Sequence, residues 1–159
     1  IRNSKEKRGF VKNEGWWQIR AGEACGTLMG GNLGTLTLLL GSPYWPGFKP
    51  NTILLAEDCF TSVGDPKEFL RNLQALAYQP DFGNVKALLI GRFQKASGMT
   101  RELLEYIIHS IPQLDSLPVI ANLDFGHSVP NLTLPIGGTA KISSNGQLIQ
   151  ISRDERLHI

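Results

Sequence analysis

The sequence predicts an α/β domain: a small mixed sheet with a βαβαβ centre, flanked by antiparallel strands and a hairpin. Three observations carry that reading. Short apolar runs suited to strands buried on both faces recur at residues 53–56, 85–90 and 118–121. Between them lie two stretches with apolar residues at helical spacing. Near the end, Asn145-Gly146 separates two alternating segments between Lys141 and Ile151, a strong short-range hairpin signal. Strand, helix, strand, helix, strand is the order of a small parallel sheet with right-handed crossovers.

Taken in order, the chain starts with Ile1-Arg-Asn-Ser-Lys-Glu-Lys-Arg8, which reads as a charged connector, and its first residue is not Met. Residues 1–14 are therefore expected to link a missing N-terminal domain to the domain over 15–159. Trp16-Trp17-Gln18-Ile19 and Thr27-Leu28-Met29 read as short strands, separated by Gly22 and Gly26. Gly30-Gly31 is expected to break the strand pattern, with Asn32 capping a short apolar helix over 33–40 that stops at Gly41 and Pro43. Residues 42–52, rich in proline, form an irregular loop. After the first buried strand, Asp65-Pro66-x-Glu68 reads as a helix start, with Asp65 as N-cap and Pro66 at the first helical position. Phe69, Leu70, Leu73, Leu76 and Ala77 supply its apolar face. Thr100 caps a further helix whose Leu103, Leu104, Ile107, Ile108 and Ile111 share one face, ended by Pro112.

Composition narrows the function. A length of 159 residues with 42% hydrophobic and 19% charged residues suits one soluble globular domain with a core of its own. The net charge of +2 is too small for a nucleic-acid or anionic-membrane footprint, so neither partner is expected. No apolar run approaches the ~20 residues of a membrane helix. Cys25 and Cys59 form neither a CxxC motif nor a disulfide framework, which favours a reducing compartment. Walker A and GxGxxG motifs are both missing, and no cofactor is expected.

In an open α/β sheet, ligands bind beyond the carboxyl ends of the parallel strands. Those ends run into Glu57-Asp58, Gly91-Arg92-Phe93-Gln94 and Asn122-Leu-Asp-Phe-Gly-His127. An acid, a cation and an imidazole thus converge on one edge. His near a carboxylate is the base-plus-orienter half of a nucleophilic triad. Each residue has an alternative. Glu57 can be a solvated loop acid, His127 a structural turn histidine, and Arg92 can pair with Glu57 or bind a substrate carboxylate. Glu57, Asp58, Asp124 and His127 are also possible metal-ligand types, without a recognised spacing. His109 and His158 are expected to face solvent. A nucleophile is missing: no GxSxG elbow appears, and Cys59 reads as a buried structural thiol.

Six segments follow one another in a telling order: Gly30-Gly31-Asn32-Leu33, Gly41-Ser-Pro-Tyr44, Ile53-Leu-Leu-Ala-Glu-Asp58, Gly91-Arg-Phe93, Phe125-Gly-His-Ser-x-Pro130 and Thr133-Leu-Pro-Ile-Gly137. With them the chain, from about Trp16 to Ile151, resembles the C-terminal domain of the LD-carboxypeptidase and microcin C immunity family of serine peptidases. The resemblance implies a swivelling β/β/α-type domain. It implies that Glu57 is the carboxylate and His127 the general base of a Ser-Glu-His triad. Asn32, with Arg92 and Gln94 in the stretch after Gly91, would line the substrate pocket. The serine and its oxyanion hole would lie in an N-terminal α/β domain outside this chain, leaving the isolated chain inactive. A cytoplasmic, metal-independent homodimer is implied, acting in peptidoglycan recycling on a murein L,D-peptide bond or on a microcin C-type peptidyl-nucleotide. The Gly34-Thr-Leu-Thr-Leu-Leu39 run inclines the reading to the immunity branch, and Trp16, Trp17 and Tyr44 offer aromatic surface for a base or simply for the core. The competing reading is a non-catalytic ligand-binding or regulatory module using the same strand-end crevice.

Overall fold

The computed structural model describes residues 14–59, 66–143 and 149–152. Four parallel strands run through its centre: β2 (Ala24–Asn32), β3 (Thr52–Glu57), β4 (Val85–Gly91) and β5 (Val119–Leu123). The run Thr-Ile-Leu-Leu-Ala-Glu of β3 is buried at every position, as the unbroken apolar pattern requires. β1 (Trp17–Arg20) pairs antiparallel with β5 at one edge. At the other, β6 (Thr139–Ile142) pairs antiparallel with β2, and β7 (Ile149–Ser152) with β6. The sheet has seven strands in the order β1-β5-β4-β3-β2-β6-β7. The mixed α/β class, the βαβαβ centre and the flanking antiparallel strands are as expected from the sequence.

The parallel strands follow chain order across the sheet, so every crossover leads the same way and the helices gather on one face. Helix α2 (Pro66–Ala77) buries Phe69, Leu73 and Leu76, and α3 (Arg101–His109) buries Leu104, Ile107 and Ile108. Both pack on Leu54, Ala56, Leu88, Ile90, Val119 and Ala121 of the sheet. Each fully buried Leu, Ile or Phe contributes about 1.5–3 kcal/mol relative to exposure. Thr100 caps α3 as expected, accepting from the Leu103 amide at 3.2 Å. The opposite face holds a second core of Leu28, Ile53, Leu55, Leu89, Ile120 and Phe125, covered by Leu134 and Ile149 rather than by a helix.

Two expectations are corrected. Gly30-Gly31 does not break a strand, because β2 runs straight through it to Asn32. Gly30, at φ +136°, lies so close to β3 that a Cβ would sit 2.0 Å from the Leu55 carbonyl oxygen. The glycine permits close strand pairing where it reads as a stop. The helix expected over 33–40 is also shorter: α1 spans Leu33–Thr37, and Leu39 and Leu40 then donate to Leu36 and Thr37 in tighter i→i+3 turns. The Asn145-Gly146 turn, the Asp65 cap, His158 and residues 1–13 of the expected connector fall outside the described residues.

Candidate active site

The carboxyl ends of the four parallel strands bring Asn32, Glu57, Gly91 and Leu123 to one edge of the sheet. Asn32 stands opposite Glu57 in the β2–β3 register. By strand alternation Glu57 shares the helix-free face with Ile53 and Leu55. Its side chain is 8% exposed. There it meets His127, whose Nδ1–H donates to Glu57 Oε2 at 2.6 Å. The imidazole side chain is half-exposed, at 48%. A buried carboxylate on Nδ1 fixes the ring tautomer and orientation, the arrangement needed for a base acting through Nε2.

Two glycines make room for that contact. A Cβ on Gly126, at φ +96°, would lie 2.8 Å from Glu57 Oε2, and one on Gly91 would lie 3.1 Å from Glu57 Cβ. Just before them, β5 carries a bulge: Leu89 stands opposite Ile120, whereas Gly91 stands opposite Leu123, so β5 holds one residue more than β4. Asn122 absorbs it with φ +60° and donates from Nδ2 to the Gly15 carbonyl at 2.7 Å. Bulges of this kind re-aim the end of a strand. Nothing in the apolar pattern of residues 118–121 announces this one, although Asn is the non-glycine residue most at ease at positive φ.

The other strand-end residues divide between the site and its frame. Arg92 pairs with Asp124, not with Glu57, and both side chains are largely buried, at 15% and 19% exposure. Gln94 donates from Nε2 to the His127 carbonyl at 3.0 Å. Asn32 Oδ1 accepts from the Thr35 amide at 2.9 Å and the Thr35 hydroxyl at 3.1 Å, capping α1. Asp58, next to Glu57, is buried; its Oδ1 accepts from the Cys59 amide, and its Oδ2 has no partner among the described residues. Burial pushes the Asp58 carboxyl above its ordinary value, the Cys59 amide opposes this, and Glu68 and Glu57 add to the rise. Cys59 is partly exposed rather than buried, and Cys25 and Cys59 are free thiols. His109 is exposed on α3, against the Glu105 carbonyl. Among the described residues, no three His, Cys, Asp or Glu side chains are grouped to hold a metal ion. No described helix is long and apolar enough to cross a membrane.

Residues 25–142 match the family model described as the LD-carboxypeptidase C-terminal domain. The chain belongs to that family. It is 47% identical to the "Putative carboxypeptidase YocD" of Bacillus subtilis (strain 168), over 88% of this chain and 42% of that protein. Its fold is similar to the crystal structure of an MccF-like protein from Bacillus anthracis, with a TM-score of 0.81 and 42% identity over 92% of this chain and 45% of that one. It is also similar to the structure of MccF in complex with glutamyl sulfamoyl guanosine, with a TM-score of 0.71 and 28% identity over 94% of this chain and 44% of that one. The chain thus spans less than half the length of these LD-carboxypeptidase-family relatives.

Proposed function

We propose that this domain completes the active site of a serine carboxypeptidase, with His127 as general base and Glu57 as the carboxylate that orients it. The single observation that carries the reading is the 2.6 Å contact between Nδ1 of the half-exposed His127 and the buried Glu57. The nucleophilic serine belongs to the part of the full-length protein that this chain does not span, in an N-terminal domain joined through residues 1–14. The serine hydroxyl attacks the scissile carbonyl and its proton passes to His127 Nε2. The same proton then goes to the leaving amine as the C–N bond breaks, and water, activated by His127, hydrolyses the acyl-serine. Asn32, at the same sheet edge, lines the pocket. The substrate is an amide of the family's two kinds, a murein L,D-peptide or a peptidyl-nucleotide. Binding of glutamyl sulfamoyl guanosine by MccF supports the second. In this reading the full-length protein acts as a cytoplasmic homodimer, and the isolated chain is inactive.

Labelling the full-length protein with a serine-reactive fluorophosphonate tests this reading. Covalent labelling that is lost in His127→Ala is expected. A full-length protein that takes no label but binds ligand at the strand-end crevice would instead identify a non-catalytic binding module.

A further inference from the structure

We infer that Gln94, together with the Arg92–Asp124 ion pair, positions His127 rather than holding substrate; this rests on the proposed role of the Glu57–His127 pair. His127 lies on an irregular segment between β5 and β6; its ring is half-exposed, and Glu57 holds it at Nδ1. The backbone beneath it is secured from the end of β4. The Arg92 amide donates to the Leu123 carbonyl at 2.8 Å, and its guanidinium pairs with Asp124, one residue further on. Two residues past Arg92, the Gln94 amide donates to the carbonyl of His127 itself at 3.0 Å. A carbonyl only accepts, so this contact fixes the Gln94 orientation with its nitrogen on His127. The segment is closed on itself as well: Leu132 donates to the Asp124 carbonyl, and Asn131 Nδ2 to the Gly126 carbonyl. Residues 124 and 127 are thus tied to positions 92 and 94 just beyond β4, directly after the bulge that re-aims β5. One nitrogen of each side chain, Arg92 Nη2 and Gln94 Nε2, is thus engaged with the segment that carries the base.

Displacements near 1 Å at a reacting group can cost about 100-fold in rate. A positioning residue therefore acts on kcat, whereas a substrate-binding residue acts on KM. The test uses Gln94→Ala and the near-isosteric Gln94→Glu, whose carboxylate cannot donate to the His127 carbonyl. Gln94 is half-buried and its bond to the His127 carbonyl lies at the surface, so neither variant threatens the fold. In the full-length protein both are expected to lower kcat by about 10- to 100-fold with KM within about twofold. In the 159-residue chain, long-range 15N–1H spectra are expected to show His127 protonated at Nδ1 alone, and a mixture of tautomers in both variants. A rise in KM at unchanged kcat, or a single unchanged tautomer in both variants, would overturn the inference. Glu57→Gln serves as the separate control. If it leaves the His127 tautomer unchanged, the base assignment itself fails; if it changes the tautomer and the Gln94 variants do not, only the positioning role fails.

Discussion

Gly126 packs against Glu57 so closely that a single added methyl would come within 2.8 Å of Oε2. The carboxylate that holds His127 is thus shaped by the residue directly before that histidine. Gly126→Ala is expected to cost about 2–4 kcal/mol of stability, from the φ of +96° and from overpacking. It should also break the Glu57–His127 contact. Urea unfolding measures the first, and the imidazole nitrogen spectrum the second. A stable variant with an unchanged spectrum would mean that Glu57 has room to move.

Asp58 gives the fold a pH dependence of defined sign. Its folded carboxyl titrates above its ordinary value of 3.8 because it is buried, so the folded state binds more protons than the unfolded one just above that value. The contribution of Asp58 to stability therefore falls as pH rises from 3.8 through the folded value, and is lost above it. Asp58→Asn should raise Tm at pH 7 and leave it little changed below pH 3.8, with the Cys59 amide still bonded to the Asn oxygen. Calorimetry across that range measures it. A lower Tm at pH 7 would show that the buried charge has a partner in the folded protein.

The Arg92–Asp124 pair is largely buried, so either side chain left alone is expected to be costly. Arg92→Met and Asp124→Leu should each destabilise the domain by about 1–3 kcal/mol, and the double variant by clearly less than their sum. A double-mutant cycle in urea reads the coupling directly. Additive costs would mean that the pair contributes no mutual stabilisation.

Much of this arrangement is legible in the residues. The buried runs of β3, β4 and β5 and the apolar faces of α2 and α3 declare themselves by period, and parallel strand ends then bring Glu57 and His127 to one edge. Three features do not follow from period. Gly30 reads as a breaker because a glycine's use in close strand approach depends on the neighbouring strand, which sequence spacing does not reveal. The β5 bulge is a register mismatch between two strands, visible only once both are paired. Arg92 has two acids at the same sheet edge, and its pairing with Asp124 rather than Glu57 is a matter of local three-dimensional geometry that residue spacing does not carry.

The base assignment is tested most directly by amide hydrolysis in the full-length protein, with D-alanine release from a murein tetrapeptide and cleavage of a peptidyl-nucleotide analogue followed in parallel. His127→Ala and Glu57→Gln are the variants, and folding is checked by circular dichroism. In each, kcat is expected to fall by about 10⁴-fold or more, Glu57→Gln failing because its amide favours the wrong tautomer. Folded variants that retain hydrolysis within about tenfold of the parent would contradict it.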